Sequence, residues 1–550
     1  MKTSSRIAST LFLAAIAATA SAQSSIDALT LNDTELRGTA RFMSMAGAFT
    51  ALGGDLSTLT QNPAGIGVYR GSDIGLTLDL SFLSNKSSGT GRGTSMSNTH
   101  FDVNTFGYVG TMNFGRNSTM QTFSWGVSYN RLKSFTREYS GSGMPLETSM
   151  SNYVALMTDG VDPEQMFSDT GYDPYQNSQI NWMSILGFNG AIITPTLVTN
   201  DEGRVTDIYY DGLFQYEVPA SGNNAGIPAT TGTAGFNVRE RGYTDEYNID
   251  FGGNIANVVN WGIGFGITAL NHEQWTSYNE TLQGANVRAN NQYYDQIAEG
   301  DCDWQIDNWK RTTGTGFNVK LGLILKPIQE LRIGVAVHTP TWYSLSTSYD
   351  AHLTYGASNG LIRDRSTNVA YYDWNMRSPW KLMLGIAGVI GGRGIISADY
   401  EYQAYDKMHT SDSYGPFDYF NDDIKTYFRS TNTLRLGGEL RVTPQFSLRL
   451  GYAYSQGNVK SDAADNKLEI YTSGTNLGYT FNEASNYITA GVGYRVGGFY
   501  ADLAYVNRHR TSTYHCFTPF TDYDGYWSQA PQSKITESAN QLALTVGYKF

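Results

Sequence analysis

The sequence has 550 residues and a formal net charge of −12, from 38 Lys and Arg against 50 Asp and Glu. This acidic balance excludes the basic surface that a nucleic-acid partner requires. The only cysteines are Cys302 and Cys516, so we expect neither a disulfide scaffold nor a metal site, although both a single bridge formed after export and two inert thiols fit the count.

The first residues have the three parts of an export signal. Lys2 and Arg6 give a positive start, residues 11–20 form a short apolar run, and Ala20-Ser21-Ala22 is a small-x-small cleavage site. The alternative is a buried N-terminal helix of a cytosolic protein. Because the three parts occur in order, we predict a signal peptide over residues 1–22 and a mature chain that begins at Gln23.

Residues 23–72 lack the alternation that marks the rest of the chain. Phe42, Met45 and Phe49 are spaced as on one face of a helix, which predicts a short amphipathic helix over residues 41–52, ended by Gly53-Gly54. The following Asn62-Pro63-Ala64-Gly65 predicts a turn. The residues that follow predict a wide β-barrel, as argued below. We expect residues 23–72 to be a plug in its lumen, because a wide barrel leaks without one.

From residue 73 onward, apolar and polar residues alternate with the period of a β-strand. In the last run, Leu542, Leu544, Val546, Tyr548 and Phe550 share one face. Fourteen such runs occur, at about residues 74–82, 106–114, 123–129, 247–255, 261–267, 317–325, 331–337, 380–386, 396–402, 434–442, 446–454, 488–494, 499–505 and 542–550.

The connections between these runs alternate in length. Six are short, near residues 116–117, 257–260, 327–328, 391–392, 444 and 497–498, and seven are long and polar, at about residues 84–100, 137–242, 279–310, 347–376, 406–430, 456–485 and 514–539. Outer-membrane barrels have tight periplasmic turns and long outer loops, whereas a β-sandwich has no reason for this asymmetry. We therefore predict an all-β, 14-stranded antiparallel transmembrane barrel over residues 73–550, with the N-terminal plug in its lumen.

Hydropathy agrees with a barrel. The mean hydropathy is −0.34 and no long uncharged apolar segment follows the signal, which excludes helical spans but not strands, since only every second strand residue faces lipid. Five tyrosines toward the loop ends of their strands fit an outer aromatic girdle, although tyrosine is also an ordinary strand former: Tyr400, Tyr402, Tyr452, Tyr454 and Tyr505.

Charged residues on the predicted inner face are Arg435, Glu439, Arg441 and Arg449. They would either bind an anion or, as we favour, pair with one another and hold the plug.

Residues 38–55, followed by Gln61-Asn62-Pro63-Ala64-Gly65, resemble the hatch of the FadL/TodX family, and most of all its Bacteroidetes members. The matching motif residues are Gly47, Ala48, Asp55, Asn62, Pro63, Ala64 and Gly65. The resemblance implies an outer-membrane transporter of long-chain fatty acids or aromatic compounds. The ligand would be caught by outer loops, pass to a greasy pocket above the hatch, and leave sideways through a gap made by a kink in the third strand.

The third strand, over residues 121–131, contains Gly126 but no proline. The kink is therefore not visible in the sequence, and whether the exit is lateral stays open.

Phe550 resembles the aromatic ending that the barrel-assembly machinery recognises in outer-membrane proteins. We expect a monomer in outer-membrane lipid with a hydrophobic ligand, no cofactor and no enzymatic activity; the sequence does not identify the ligand-binding residues.

Other functions remain. A haem or other nutrient receptor would need a His or Tyr that reaches the iron, and the histidines are scattered. A structural or adhesive barrel fits the same fold. A lipase-like enzyme is indicated only by the spacing of Gly356, Ser358 and Gly360, which lie in a predicted loop rather than in the strand–turn–helix that this chemistry needs.

Overall fold

The computed structural model describes residues 24–89, 91–115, 118–167, 171–218, 227–289, 297–472, 474–522, 525 and 527–550. The signal peptide, the mature N-terminus at Gln23 and the turn at residues 116–117 lie outside the described residues and stay predictions.

The wall of the molecule is a closed antiparallel sheet of fourteen strands, as predicted. Strand β14 pairs with β1 from Asp73↔Lys549 to Gly89↔Ser533, which closes the barrel. The strands are β1 Asp73–Gly89, β2 Ser95–Asn113, β3 Met120–Ser134 continued by Arg137–Pro145, β4 Thr231–Ile255, β5 Val259–Arg288, β6 Ile297–Leu325, β7 Leu331–His338 continued by Trp342–Ala357, β8 Ala370–Arg377 continued by Lys381–Ile390, β9 Gly394–Gln403 extended by His409–Ser411, β10 Thr431–Arg441, β11 Phe446–Ser455, β12 Tyr479–Val496, β13 Phe499–His515 and β14 Gln532–Lys549.

The alternation of the sequence is the alternation between outside and lumen. On β14, Leu542, Leu544 and Val546 are exposed on the outer face, whereas Ala543 and Thr545 are buried inside. Apolar side chains outside and small or polar ones inside are the reverse of a soluble protein and suit a wall that faces hydrocarbon. The belt of exposed apolar residues lies on the half of the barrel next to the short turns.

The five predicted short turns that lie within the described residues are found in place, at one end of the barrel. The turn after β4 has two residues with positive φ, Ala256 (51°) and Asn257 (60°), and the turn after β8 has Gly391 (57°) and Gly392 (67°). Such left-handed pairs match the right-handed twist of the strands that they join.

Three of the seven predicted long loops, at residues 84–100, 279–310 and 347–376, are mainly sheet instead. β5 has 30 residues and β6 has 29, against roughly 9–11 needed to cross a bilayer. The apolar face switches along each strand: Ile267 of β5 is exposed outside, whereas Tyr278 and Leu282 further along are buried inside. The strands thus leave the membrane and continue as the shell of an outer domain.

This outer domain has an apolar core. The described residues between Pro145 and Thr231 form a cap of two helices, Met150–Thr158 and Trp182–Asn189, a hairpin of Ile193–Thr199 and Val205–Gly212, and 3-10 turns at Pro163–Gln165 and Pro174–Gln176. The helices pack on inward-facing residues of the upper strands, including Trp304, Tyr349 and Leu353. The predicted loop over residues 137–242 is therefore a folded lid on the barrel.

A second apolar cluster fills the upper barrel beside the shorter strands. Helix Ser25–Asn32 packs there against helix Asp418–Tyr427 and residues near helix Ser461–Ala464 and the 3-10 turn Tyr405–Lys407. Short strands Ile362–Ser366, Phe520–Thr521 and Trp527–Ser528 complete the outer domain. Within the described ranges no helix is long and apolar enough to cross a bilayer.

Candidate functional site

The N-terminal residues 24–70 lie in the lumen. After helix Ser25–Asn32 come two short helices, Ala40–Ser44 and Thr58–Gln61, and a 3-10 helix, Pro63–Val68. The helix predicted over residues 41–52 is wrong beyond Ser44. It ends there because Ala46 (φ 52°) and Gly47 (φ 75°) adopt left-handed conformations, and Gln61 Nε2 then donates to the Gly47 carbonyl at 2.8 Å.

Residues 38–70, which we call the hatch, lie directly against glycines of the wall. A Cβ added to Gly322 would lie 1.9 Å from Asn62 Oδ1, one on Gly334 2.1 Å from the Thr50 carbonyl oxygen, and one on Gly451 2.6 Å from the Ala46 nitrogen. Gly262, Gly385 and Gly437 also face the hatch backbone, whereas Gly252 and Gly491 face the side chains of Ile66 and Ser44. Glycine is needed at these positions because the hatch occupies the space of a side chain.

The Asn-Pro-Ala motif forms the turn that begins the 3-10 helix. Asn62 has an extended backbone (φ −139°, ψ 100°) before Pro63, and its Oδ1 accepts a hydrogen bond from the Ala64 N–H at 3.0 Å. Its Nδ2 donates to the Thr50 carbonyl at 2.6 Å. Asn62 is fully buried and thus joins two parts of the hatch.

The other motif residues lie in the same unit. Asp55 Oδ1 accepts from Thr39 Oγ1 at 2.6 Å and from the Ser57 N–H at 3.0 Å, and so closes the loop between the first two hatch helices. Gly65 packs against Thr58, and Ala48 is buried against the wall. The structure brings the predicted residues together in the hatch; a role in transport stays a prediction.

The space above the hatch is charged, not greasy. A cavity of about 820 Å³, open space included, is lined by pairs such as Lys133 Nζ–Asp33 Oδ2 (3.1 Å) and Arg137 Nε–Glu240 Oε2 (2.9 Å). Arg510 Nη1 lies 2.8 Å from Asp33 Oδ2. The greasy pocket that the family resemblance implies is not seen in this cavity.

Three of the four inner charges singled out in the sequence, Arg435, Glu439 and Arg449, are paired, whereas Arg441 is exposed. Glu439 Oε2 accepts from Arg449 Nε at 2.6 Å and from Arg41 Nε of the hatch at 2.9 Å. Arg435 Nη2 lies 2.9 Å from Glu401 Oε2. These contacts support the interpretation that such residues hold the plug. In the part of the chain that is described, no cluster of His, Cys, Asp and Glu is arranged to hold a metal ion, and Cys302 and Cys516 are buried free thiols.

The wall is interrupted between the second and third strands. β2 and β3 pair only from Asn113↔Thr122 to Thr105↔Asn130. At that level each strand has a bulge, with Asn104 the extra residue in β2 and Leu132 in β3. A bulge bends its strand and increases the local twist, so β3 leaves β2 and continues along β4. We call the opening beside residues 95–104 of β2 the window.

Side chains bridge the window. Its upper edge is formed by Thr94 Oγ1, which donates to the Ser140 carbonyl at 2.5 Å. Across it, Arg131 Nη1 donates to Asp102 Oδ1 at 2.6 Å, and Asp102 Oδ2 accepts from Arg37 Nη1 at 3.1 Å. Phe101, on the outer lip, is 62% exposed. The pairing between β2 and β3 therefore ends at two bulges, one in each strand, and not at a proline kink in β3.

A closed fourteen-stranded barrel with a lumen plug and an interrupted third strand defines the architectural class. The chain has the fold of a FadL homologue from Pseudomonas aeruginosa, with 14% identity and a TM-score of 0.51 over 94% of this chain and 99% of that one. The toluene transporters TodX of P. putida and TbuX of Ralstonia pickettii align over 94% of this chain and 99% of their own, with 13% and 15% identity and TM-scores of 0.45 and 0.43. No family model and no curated protein matches the sequence. The resemblance to the FadL/TodX family is confirmed at the level of the fold.

Proposed function

We propose that the chain is a monomeric outer-membrane channel of a Gram-negative bacterium for the uptake of hydrophobic small molecules. The observation that carries this proposal is the combination of a sealed axis with an open wall. The hatch is packed on glycines around the lumen, whereas β2 and β3 separate at Asn104 and Leu132. A ligand that cannot pass the hatch can leave sideways through the window.

The two sides of the window favour an amphipathic ligand. Outside, Phe82 and Phe101 are exposed beside it, where lipid chains would lie. Inside, Arg131, Asp102 and Arg37 form a charged edge. A molecule with a polar head and an apolar tail suits both environments, whereas a bare hydrocarbon gains nothing from the inner one. We therefore place long-chain fatty acids before aromatic hydrocarbons among the candidate ligands.

The test closes the window by deleting the two bulge residues and then measures ligand uptake. Deleting Asn104 and Leu132 together removes both bulges and allows β2 and β3 to pair further. In a Gram-negative host without its own fatty-acid channel, radiolabelled oleate uptake should then fall to the level of cells that lack the protein. The matched control deletes Gln121, the extra residue of another bulge in β3, nearer the short turns, and should keep uptake.

Mass spectrometry of gently purified protein should find a co-purified amphipathic ligand. Unchanged uptake by the double-deletion variant, at normal barrel levels, would exclude the lateral route. A Soret band on titration with haemin, without oleate uptake by the wild type, would favour the nutrient-receptor alternative instead.

A further inference from the structure

A second interruption of the wall lies between β11 and β12, above the apolar belt. β11 ends at Ser455, which pairs with Ser485. The chain then turns away from β12, because the Gln456 N–H donates to the Asn432 carbonyl at 3.0 Å and Val459 forms a bridge with Phe428. β12 nevertheless continues up to Tyr479, so that its upper residues have no strand on this side.

β12 is also irregular at this level. Its pairing with β13 shifts between Asn482 and Ser485, and Glu483 and Ala484 are left out of the ladder. Gly457 lies close to β12 at this level: a Cβ on it would lie 3.2 Å from the Asn482 carbonyl oxygen and 3.3 Å from the Glu483 Cα. We call Gln456, Gly457, Asn482 and Glu483 the portal.

The portal separates an outer cleft from an inner cavity. The cleft has about 1690 Å³ and the cavity about 430 Å³, open space included, and all four portal residues line both. The wall between the two spaces is therefore a single layer of residues without strand hydrogen bonds across it.

The inner cavity adjoins a second cavity, which reaches the window. It shares Thr34, Thr433, Ser455 and Tyr487 with a larger cavity of about 920 Å³, open space included. That larger cavity is also lined by Arg131 and Leu132, at the point where β3 leaves β2. Two adjoining spaces on the upper surface of the hatch thus lie between the two interruptions of the wall.

The top of the barrel offers a less favourable way in. The inner faces of the upper strands pack on the cap helices, with Trp304, Cys516 and Phe517 among the buried residues. Helix Ser25–Asn32 fills the remaining sector with its own apolar contacts. Passage along the axis would require these close-packed cores to separate.

We propose that the portal is the site at which an amphipathic small molecule enters the barrel from the outer medium; this rests on the proposed function. The outer cleft lies at the edge of the second apolar cluster, where Val459 and Phe481 are buried, and is also lined by the charged Arg429 and Lys534. The inner cavity has Tyr405 and the Asp33–Arg510 ion pair for a polar head. The head crosses at Gly457, where the two chain segments are held only by packing.

An engineered disulfide across the portal, which can be formed and reduced again, tests this proposal. In the Gly457→Cys/Glu483→Cys variant the two thiols lie across the portal, and the Cβ of residue 457 is 3.3 Å from the Cα of residue 483, close enough for a disulfide. In the same host, oxidation should reduce radiolabelled oleate uptake to the level of cells that lack the protein, and a reductant should restore it. Recovery on reduction shows that the locked protein was folded.

The matched control is Ser346→Cys/Asp373→Cys, a pair of facing residues on β7 and β8 outside the membrane belt. Its oxidation should leave uptake unchanged. Full uptake by the locked portal variant, while the double deletion at the window still abolishes uptake, overturns the portal and leaves the proposed function intact. No uptake by the wild-type protein overturns both.

Discussion

Asn62 and Thr50 are joined by a short hydrogen bond, in which the Asn62 Nδ2 donates to the Thr50 carbonyl at 2.6 Å inside the hatch. Thr50 is in turn fixed to the wall, because its N–H donates to Asp399 Oδ2 at 2.7 Å. The Asn-Pro-Ala turn is thereby connected through Thr50 to β9. The hatch and the barrel share a hydrogen-bonded path, so that a change in the turn is transmitted to the seal.

The first prediction concerns this turn. Replacing Asn62 and Pro63 by Ala leaves the Thr50 carbonyl and the Ala64 N–H without their partner, at a cost of about 1–3 kcal/mol for each buried group. We expect the hatch to loosen and the ion conductance of single barrels in planar bilayers to rise. Thr60→Ala, which removes a hydroxyl bonded only within the hatch, should behave as wild type. Equal conductance and oleate uptake in both variants would show that the turn does not gate.

The second prediction concerns the glycine seal. In Gly322→Ala the new Cβ would lie 1.9 Å from Asn62 Oδ1, so Asn62 must move and the turn with it. Conductance should rise as in the Asn62 variant, and combining the two changes should add little because they act on one contact. Gly388→Ala is the matched control, since a Cβ there meets nothing within 4 Å. If Gly322→Ala keeps a closed barrel, the backbone contact is not what seals the lumen.

The wall of the barrel could be predicted from the sequence because lipid imposes a period of two on every strand. On β14, for example, Leu542 and Val546 point outward and Thr545 points inward. This pattern is set within the strand itself and does not depend on which element packs beside it. The upper strands were missed because the apolar face moves from outside to inside between Ile267 and Tyr278. Apolar and polar residues still alternate beyond this point. Because the apolar residues now face inward, a prediction based on one continuous apolar outer face ends the strand too early.

The candidate site was harder to predict. Asn104 and Leu132 are single extra residues, and a bulge has no fixed side-chain signature that separates it from an ordinary strand position. Ala46 ends the hatch helix with a positive φ that non-glycine residues adopt only when their surroundings impose it. The charge pairs of the lumen join residues hundreds of positions apart, such as Arg41 and Glu439, so their partners become visible only in the fold.

The third prediction concerns pH. Burial raises the pKa of Asp423, in helix Asp418–Tyr427 of the outer domain, to about 7. The unfolded chain loses this proton at about pH 4, so between about pH 4 and 7 the folded state binds more protons. Local stability is therefore greatest below pH 4 and decreases as the pH rises towards 7.

Asp423→Asn should remove this penalty. At pH 8 the helix should be more protected from hydrogen exchange than in the wild type, by on the order of 2–4 kcal/mol, whereas at pH 4 the two proteins should be alike. Asp418→Asn, at an exposed position of the same helix, should show no comparable difference between the two pH values. Equal protection of wild type and Asp423→Asn at pH 8 would mean that the buried carboxyl carries no such penalty.

The last prediction concerns the C-terminal residue. Phe550 closes the barrel with its backbone, since its N–H donates to the Ser72 carbonyl at 3.0 Å and its carbonyl accepts from the Ser72 N–H at 2.8 Å. Its ring is 62% exposed on the outer face and stacks on Tyr548, with ring centroids 5.9 Å apart. Deleting the residue would therefore confuse two roles, the closing hydrogen bonds and the exposed ring.

Phe550→Ala separates these roles, because it keeps the backbone pair and removes only the ring. If the assembly machinery reads the terminal aromatic ring, the amount of folded barrel in the outer membrane should fall, and Phe550→Trp should restore it. Tyr548→Ala removes the neighbouring ring of the same girdle and should have a smaller effect. The amount of folded barrel is measured by heat-modifiable migration of outer-membrane fractions. Equal amounts for Phe550→Ala and Tyr548→Ala would show that Phe550 is an ordinary girdle residue and not an assembly signal. Its apolar ring would then act only through contact with lipid, as those of its neighbours do.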